Sequence, residues 1–236
     1  MIIVESNNVS KARLGNFITQ RLGLEEVSSE YVNSVIGSNT PKIEKLESIP
    51  YSEMCEQFTM VWQNSNLLIT MPNNREAYLN FKRIYNEIRG RKEIFLNFIN
   101  SLNLSPYKLT HRDKSILSTL TKFRKCSKDT VNNPKTKWQY EGSFRMGLIL
   151  DISGFRLIYK DLNQMIQDIY SVIENPNIVF LSSNYNPKYT GPIRCVNIAF
   201  CIDSYIFQVQ FYSLDSLILE EYDHITKYKP IAKAVP

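Results

Sequence analysis

The stretch IRCVNIAFCIDSYIFQVQFY, residues 193–212, decides the fold. It reads as two long strands, Ile193–Cys201 and Tyr205–Tyr212, joined by a tight turn around Asp203 and Ser204. In the second strand, alternation puts Phe207, Val209 and Phe211 on one face and Gln208 with Gln210 on the other. The apolar set needs a core to cover it. The polar pair either lines a cleft or faces water.

Working outward, Asp161–Asn175 carries Met165, Ile166, Ile169, Tyr170 and Ile173 at helical spacing, and Ile178–Ser182 reads as a short strand. Gly147–Tyr159 reads as a strand region interrupted at Asp151–Gly154, Lys114–Arg124 as a helix, and Ser183–Pro192 as a loop rich in Asn, Pro and Gly. Leu214–Ile225 closes the pattern as a helix. Strands and helices interleaved in this order predict an α/β (α+β) domain, a mixed sheet flanked by helices. Further upstream, Tyr78, Phe81, Ile84, Tyr85, Ile88, Ile94, Phe95, Phe98 and Ile99 predict helix over Asn74–Leu102, with Gly90 as a break. Ser10–Leu24 also reads as helical, whereas Ser38–Pro50 carries turn signals. The expected division is a mainly helical region over 1–105 and an α/β domain over 106–236.

Composition narrows the function classes. The 236 residues are 43% apolar and 22% charged, enough for a sizeable core and unlike a disordered chain. Net charge is +5, but ten cations against Asp113, Asp129 and Glu141 make the segment Lys108–Arg145 net +7. That segment is either a solvated basic face or a surface for anionic partners such as nucleotides or nucleic acid. Cys55, Cys126, Cys195 and Cys201 form no C-x-x-C pair and suggest no disulfide framework. With His111 and His224 as the only histidines, a zinc site is not expected. No signal-peptide pattern and no membrane-length apolar run is evident, so the expected setting is cytoplasmic, with no membrane partner.

The chain has eight glycines and neither a Walker loop nor G-x-G-x-x-G. Phosphates would therefore be held by side-chain cations. Arg112, Lys114, Ser115, Ser118 and Lys122 form R-x-K-S-x-x-S-x-x-x-K, and Lys114, Ser118 and Lys122 fall along one helical face. Ser115 can cap that helix and aim free N–H groups at an anion. Asp151-Ile152-Ser153-Gly154-Phe155-Arg156 places an acid, suited to Mg²⁺, five residues before an arginine that can reach a phosphate. Asn184-Tyr185-Asn186-Pro187-Lys188 and Pro192-Ile193-Arg194-Cys195-Val196-Asn197 follow, then Phe207-Gln208-Val209-Gln210-Phe211, then His224 before Lys227-Tyr228-Lys229. Each piece alone also reads as surface, turn or strand.

In this order the pieces resemble the RelA/SpoT synthetase domain, including its small alarmone synthetases. That family carries R-x-K-S…S…K, D-I-x-G-x-R, a D-Y-x…P-K…G-Y-R-S-x-H loop, E-x-Q, and a helix ending in H…K-Y-K. The resemblance covers Lys108–Lys229, about half of the chain. It implies a nucleotidyltransferase-like synthetase fold and an ATP-dependent pyrophosphokinase, a diphosphotransferase that uses Mg²⁺ and acts on a nucleotide or tRNA 3′-hydroxyl. Some small members are toxins. It also implies roles for residues. Arg112, Lys114, Ser118, Lys122 and Arg156 would bind ATP, and Asp151 would be catalytic and hold the metal. Tyr185, Lys188, Arg194, Asn197 and Gln210 would face the acceptor, and His224 and Lys229 complete the pattern.

The departures are concentrated. Pro192-Ile193 replaces the family's glycine–tyrosine pair, which removes the aromatic platform for the acceptor base. Asn197 replaces the loop histidine, and Gln208 replaces the catalytic glutamate. Glutamine cannot take the hydroxyl proton, and losing a general base costs about 10²–10⁴-fold in rate. Asp203 and Asp223 are the nearby acids that could compensate. Two readings stand: a transferase with an altered acceptor, possible as a toxin or effector, or a degenerate module that binds nucleotide or a partner without turnover. A homo-oligomer or protein partner would engage the region 1–105.

Overall fold

The computed structural model describes residues 13–38, 74–121, 152–183, 195–203 and 205–228. Among them, five strands make one mixed sheet: β1 (Lys108–Asp113), β2 (Ser153–Tyr159), β3 (Val179–Ser183), β4 (Val196–Ile202) and β5 (Tyr205–Ser213). Their order is β1-β2-β5-β4-β3. β2 and β5 run parallel, and every other pairing is antiparallel. Ile202 pairs with Tyr205, so β4 and β5 form a tight hairpin. Asp203 turns it at φ 48°, a left-handed conformation that Asp tolerates through its short polar side chain.

The helices are α1 (Ser29–Ser38), α2 (Arg75–Gly90), α3 (Lys92–Ser101), α4 (Leu162–Ile173) and α5 (Leu214–Asp223). Residues 13–22 and 116–121 are also helical. The long helix expected over Asn74–Leu102 does break beside Gly90, at Arg91. Asn74 caps α2 by accepting the Ala77 N–H at 2.8 Å. Asp161 caps α4 by accepting the Asn163 N–H at 2.8 Å. Beyond α5, the chain widens into a π turn over His224–Tyr228 rather than continuing as α-helix to Ile225. No helix among the described residues is long and apolar enough to cross a membrane.

Two places differ from expectation. Lys108–Asp113 carries only one strongly apolar residue, Leu109, and its charges hide a strand. Pairing with β2 makes it one, as an edge of the sheet. The interruption expected at Asp151–Gly154 is shorter, because Ser153 and Gly154 are already paired in β2 with Asp113 and Arg112. Residues 39–50, with their turn signals, and the loop over 184–192 lie outside the described residues.

Alternation gives the sheet two unlike faces. Phe155 and Leu157 of β2, Phe207, Val209 and Phe211 of β5, and Val196, Ile198 and Phe200 of β4 make one face apolar across the three central strands. α4 covers it with Met165, Ile169 and Val172, and α3 with Phe95, Phe98 and Ile99. Burying each such side chain contributes about 1.5–3 kcal/mol, so this layer dominates the stability of the sheet. On the opposite face, Ile158 and Tyr212 join Ile18, Leu24, Val32, Val35, Leu217 and Ile218 in a second cluster. That cluster brings residues 13–22, α1 and α5 against one end of the sheet. Residues from both sides of position 105 therefore share each core.

Candidate functional site

The second cluster covers only one end of its sheet face. Beyond it, the strand register sets out polar rows. Thr110, Arg156, Gln210 and Asn197 are aligned across β1, β2, β5 and β4. The next row aligns Arg112, Gly154, Gln208 and Ala199. The Arg156, Gln208, Gln210 and Asn197 side chains each alternate with apolar core neighbours, so the pleat puts these four on one side. Arg156, Gln208, Gln210 and Asn197 are half-buried.

The first row is hydrogen-bonded. Arg156 Nε donates to Gln210 Oε1 at 2.9 Å, and Gln210 Nε2 donates to Asn197 Oδ1 at 2.9 Å. The Arg156 guanidinium also lies over the Tyr212 ring, 5.7 Å from its centroid. No ion pair holds Arg156 among the described residues. The Tyr212 hydroxyl donates to Glu220 Oε2 of α5 at 2.8 Å. Cys195 Sγ lies 3.7 Å from Asn197 Oδ1, and burial pushes its thiol up to about 11. It is a neutral thiol at pH 7 and a poor nucleophile. In the second row, Gln208 stands between a residue with no side chain and one with a single methyl. Its amide makes no hydrogen bond among the described residues.

At the far end of β1 the chain turns into the helix at 116–121. Ser118 N–H donates to Ser115 Oγ at 3.1 Å, so Ser115 is the expected cap. The Lys114 backbone is pinned twice. Its N–H donates to the Ile152 carbonyl at 2.8 Å, and its carbonyl accepts the Tyr85 hydroxyl. The Lys114 backbone thus lies beside the residue that follows Asp151 in sequence.

The structure therefore brings Arg156, Gln208, Gln210 and Asn197 onto one face, with Arg112 registered in the Gln208 row by its backbone. Lys114 and Ser118 follow β1 in the chain, Lys114 in the connection and Ser118 in the helix at 116–121. His224 opens the π turn after α5, and Asp223 ends α5. Asp203 sits in the β4–β5 turn. Asp151, Lys122, Tyr185, Lys188, Arg194 and Lys229 lie outside the described residues. The described donors of the polar rows are amide and hydroxyl oxygens without a carboxylate. A hard divalent cation prefers carboxylates, so this donor set does not by itself fit Mg²⁺. Among the described residues no group of acids, histidines and cysteines could hold a metal ion.

A polar cluster on the other face escaped the sequence. His111 Nε2 lies 2.7 Å from Ser153 Oγ and 3.0 Å from Asp113 Oδ1. Ser153 donates to Asp113 Oδ1 at 3.2 Å, and Arg89 Nη2 donates to Asp113 Oδ2 at 2.8 Å. Both His111 partners meet the same nitrogen, so this is not the relay in which serine and acid take opposite ring nitrogens. It joins β1, β2 and α2 beside the origin of Lys114. Its signal was the alternation of His111 and Asp113, readable only once β1 is known to be a strand. Arg89 is remote in sequence.

Burial holds His111 below its ordinary 6.5. Asp113 pulls it up, and Lys92 and Arg89 push it down. Above pH 6.5 the ring is neutral in both folded and unfolded chains. As pH falls below that value, the unfolded chain takes the proton first and stability is lost. The urea midpoint is expected to fall between about pH 7 and pH 5. A His111→Gln variant should flatten that part of the profile. An unchanged slope in the variant would assign the loss to another group.

No protein-family model matches the chain, and no curated protein is detectably similar to it in sequence. Solved structures are similar to it. The small alarmone synthetase 1 from Bacillus subtilis, bound to its product pppGpp, is 14% identical at a TM-score of 0.45, covering 69% of this chain and 85% of that one. The small alarmone synthetase 2 from Bacillus subtilis is 13% identical at a TM-score of 0.43, covering 67% and 84%. A GTP pyrophosphokinase family protein from Streptococcus pneumoniae is 15% identical at a TM-score of 0.44, covering 66% and 79%.

Proposed function

We propose that the chain is an ATP-dependent pyrophosphokinase-like transferase with an acceptor other than the usual guanine nucleotide, a nucleotide or a tRNA 3′-hydroxyl. The observation that carries this reading is the meeting of Arg156 from one motif of the RelA/SpoT-like order with Gln208 and Gln210 from another, on one half-buried sheet face. Arg156 is a half-buried cation without an ion pair there, and such a group favours an anionic ligand. Lys114 and Ser118, which follow β1, extend the same preference for phosphate. In this reading Arg112, Lys114, Ser118, Lys122 and Arg156 bind ATP, and Asp151 faces the Mg²⁺ that accompanies it. Tyr185, Lys188 and Arg194 serve the acceptor. Phosphoryl-type transfer depends mainly on positioning and charge neutralisation, which these residue types supply.

One observation favours a second reading. Where the family has a carboxylate, Gln208 supplies a neutral amide, and no strand residue of the described polar rows is acidic. A module that binds nucleotide or a partner without turnover would look the same. The two separate on transfer of label from ATP labelled at the β-phosphate. Movement into a nucleotide or RNA pool supports the transferase. ATP binding with no transfer to any acceptor supports the binding module.

Gln208→Glu tests the position directly. Gly154 and Ala199, its partners on the two adjacent strands, leave it without a bulky side chain directly beside it. The restored base is expected to raise transfer to a guanine-nucleotide 3′-hydroxyl by about 10²-fold or more. No gain at that acceptor would remove Gln208 from the catalytic assignment.

A further inference from the structure

The row Arg156–Gln210–Asn197 has only one self-consistent arrangement of its amides. A guanidinium only donates hydrogen bonds, so the group that meets Arg156 Nε at 2.9 Å must be the oxygen of Gln210. That choice turns Gln210 Nε2 toward β4, where it meets Asn197 at 2.9 Å. An amide nitrogen also only donates, so Asn197 must turn its oxygen to Gln210 and its nitrogen away. One side chain that cannot be flipped thus sets two that can. Arg156 itself is fixed at its Nε by Gln210 and across its plane by the Tyr212 ring. Its remaining donors are the two Nη groups.

We propose that Gln210 and Asn197 are positioning residues that act through Arg156, and that the polarised row presents N–H groups to a phosphate-type oxyanion. The oxygens of both amides are engaged inside the row, so a ligand meets donors from Arg156. The chemistry fits the polyphosphate of a nucleoside triphosphate and disfavours a cationic ligand. This moves Gln210 and Asn197 from the acceptor side to the triphosphate side. It rests on the reading of this face as a nucleotide site.

The test is calorimetric titration of the full chain with inorganic tripolyphosphate and with ATP, at low and moderate salt. Arg156→Gln is expected to abolish most of the affinity for both probes and to flatten the salt dependence. Gln210→Leu is expected to weaken binding about tenfold while keeping that dependence, because the charge is still present. In the double variant, Gln210→Leu should add nothing, since a positioning residue has no effect once its target is gone. Additive losses would overturn the proposal, as would unchanged binding in Gln210→Leu. Tripolyphosphate bound without ATP keeps the row and discards the nucleotide reading. ATP bound with additive losses does the reverse, and binding of neither probe overturns the proposal. A measurement on the unaltered chain stands apart from any folding defect. The Arg156 Nε–H resonance should exchange slowly with solvent, and fast exchange would overturn the relay.

Discussion

Phe155→Ala is expected to cost about 3–5 kcal/mol, a large share of the roughly 5–15 kcal/mol that holds a domain of ordinary stability together. Phe155 is fully buried and stacks on Phe95 of α3 with ring centroids 3.6 Å apart. The His111 ring lies 4.7 Å away, and Val209 is its partner on β5. Truncation would empty the contact between the central strands and the helix before position 105. It would also loosen the strand that carries Arg156 on its other face. In urea the midpoint should fall steeply with little change in slope. A loss below about 1 kcal/mol would mean that α3 does not cover the sheet in solution, since exposed sites give changes of that size.

Asp151→Ala is expected to lower transfer from ATP by about 10²–10³-fold, the range seen when one electrostatic stabiliser is removed from an active site. Asp151 is the only acid in the Asp151–Arg156 motif, and the described polar rows have no carboxylate to replace it. The urea midpoint should stay close to that of the unaltered chain, which separates loss of function from loss of fold. Retained transfer in this variant would assign the acidic role to another residue, with Asp203 and Asp223 as the first to replace.

The sheet was legible where alternation was strong. Phe207, Val209 and Phe211 against Gln208 and Gln210 predicted both faces of β5, and the Asp203 turn predicted the hairpin. α4 was legible from Met165, Ile169 and its neighbours. β1 was not, because Lys108, Arg112 and Asp113 obscure a strand whose existence depends on pairing with β2. For the same reason the sequence could not align Thr110 with Arg156 or find the His111–Asp113–Ser153 cluster. α1 offers only Val32 and Val35 as buried positions, too few to announce a helix. The candidate site was legible as residue types in order. That Arg156 bonds to Gln210, and Gln210 to Asn197, depends on the parallel register of β2 with β5 and on the β4 hairpin. Spacing along one chain does not encode that register.

The most direct measurement is transfer of label from ATP labelled at the β-phosphate, with Mg²⁺ and separate pools of guanine nucleotides, adenine nucleotides and tRNA. Label is expected at the 3′-hydroxyl of one of these acceptors, produced by the unaltered chain and lost in Asp151→Ala. ATP binding with no label moved to any pool would contradict the transferase reading and leave a nucleotide-binding module in its place.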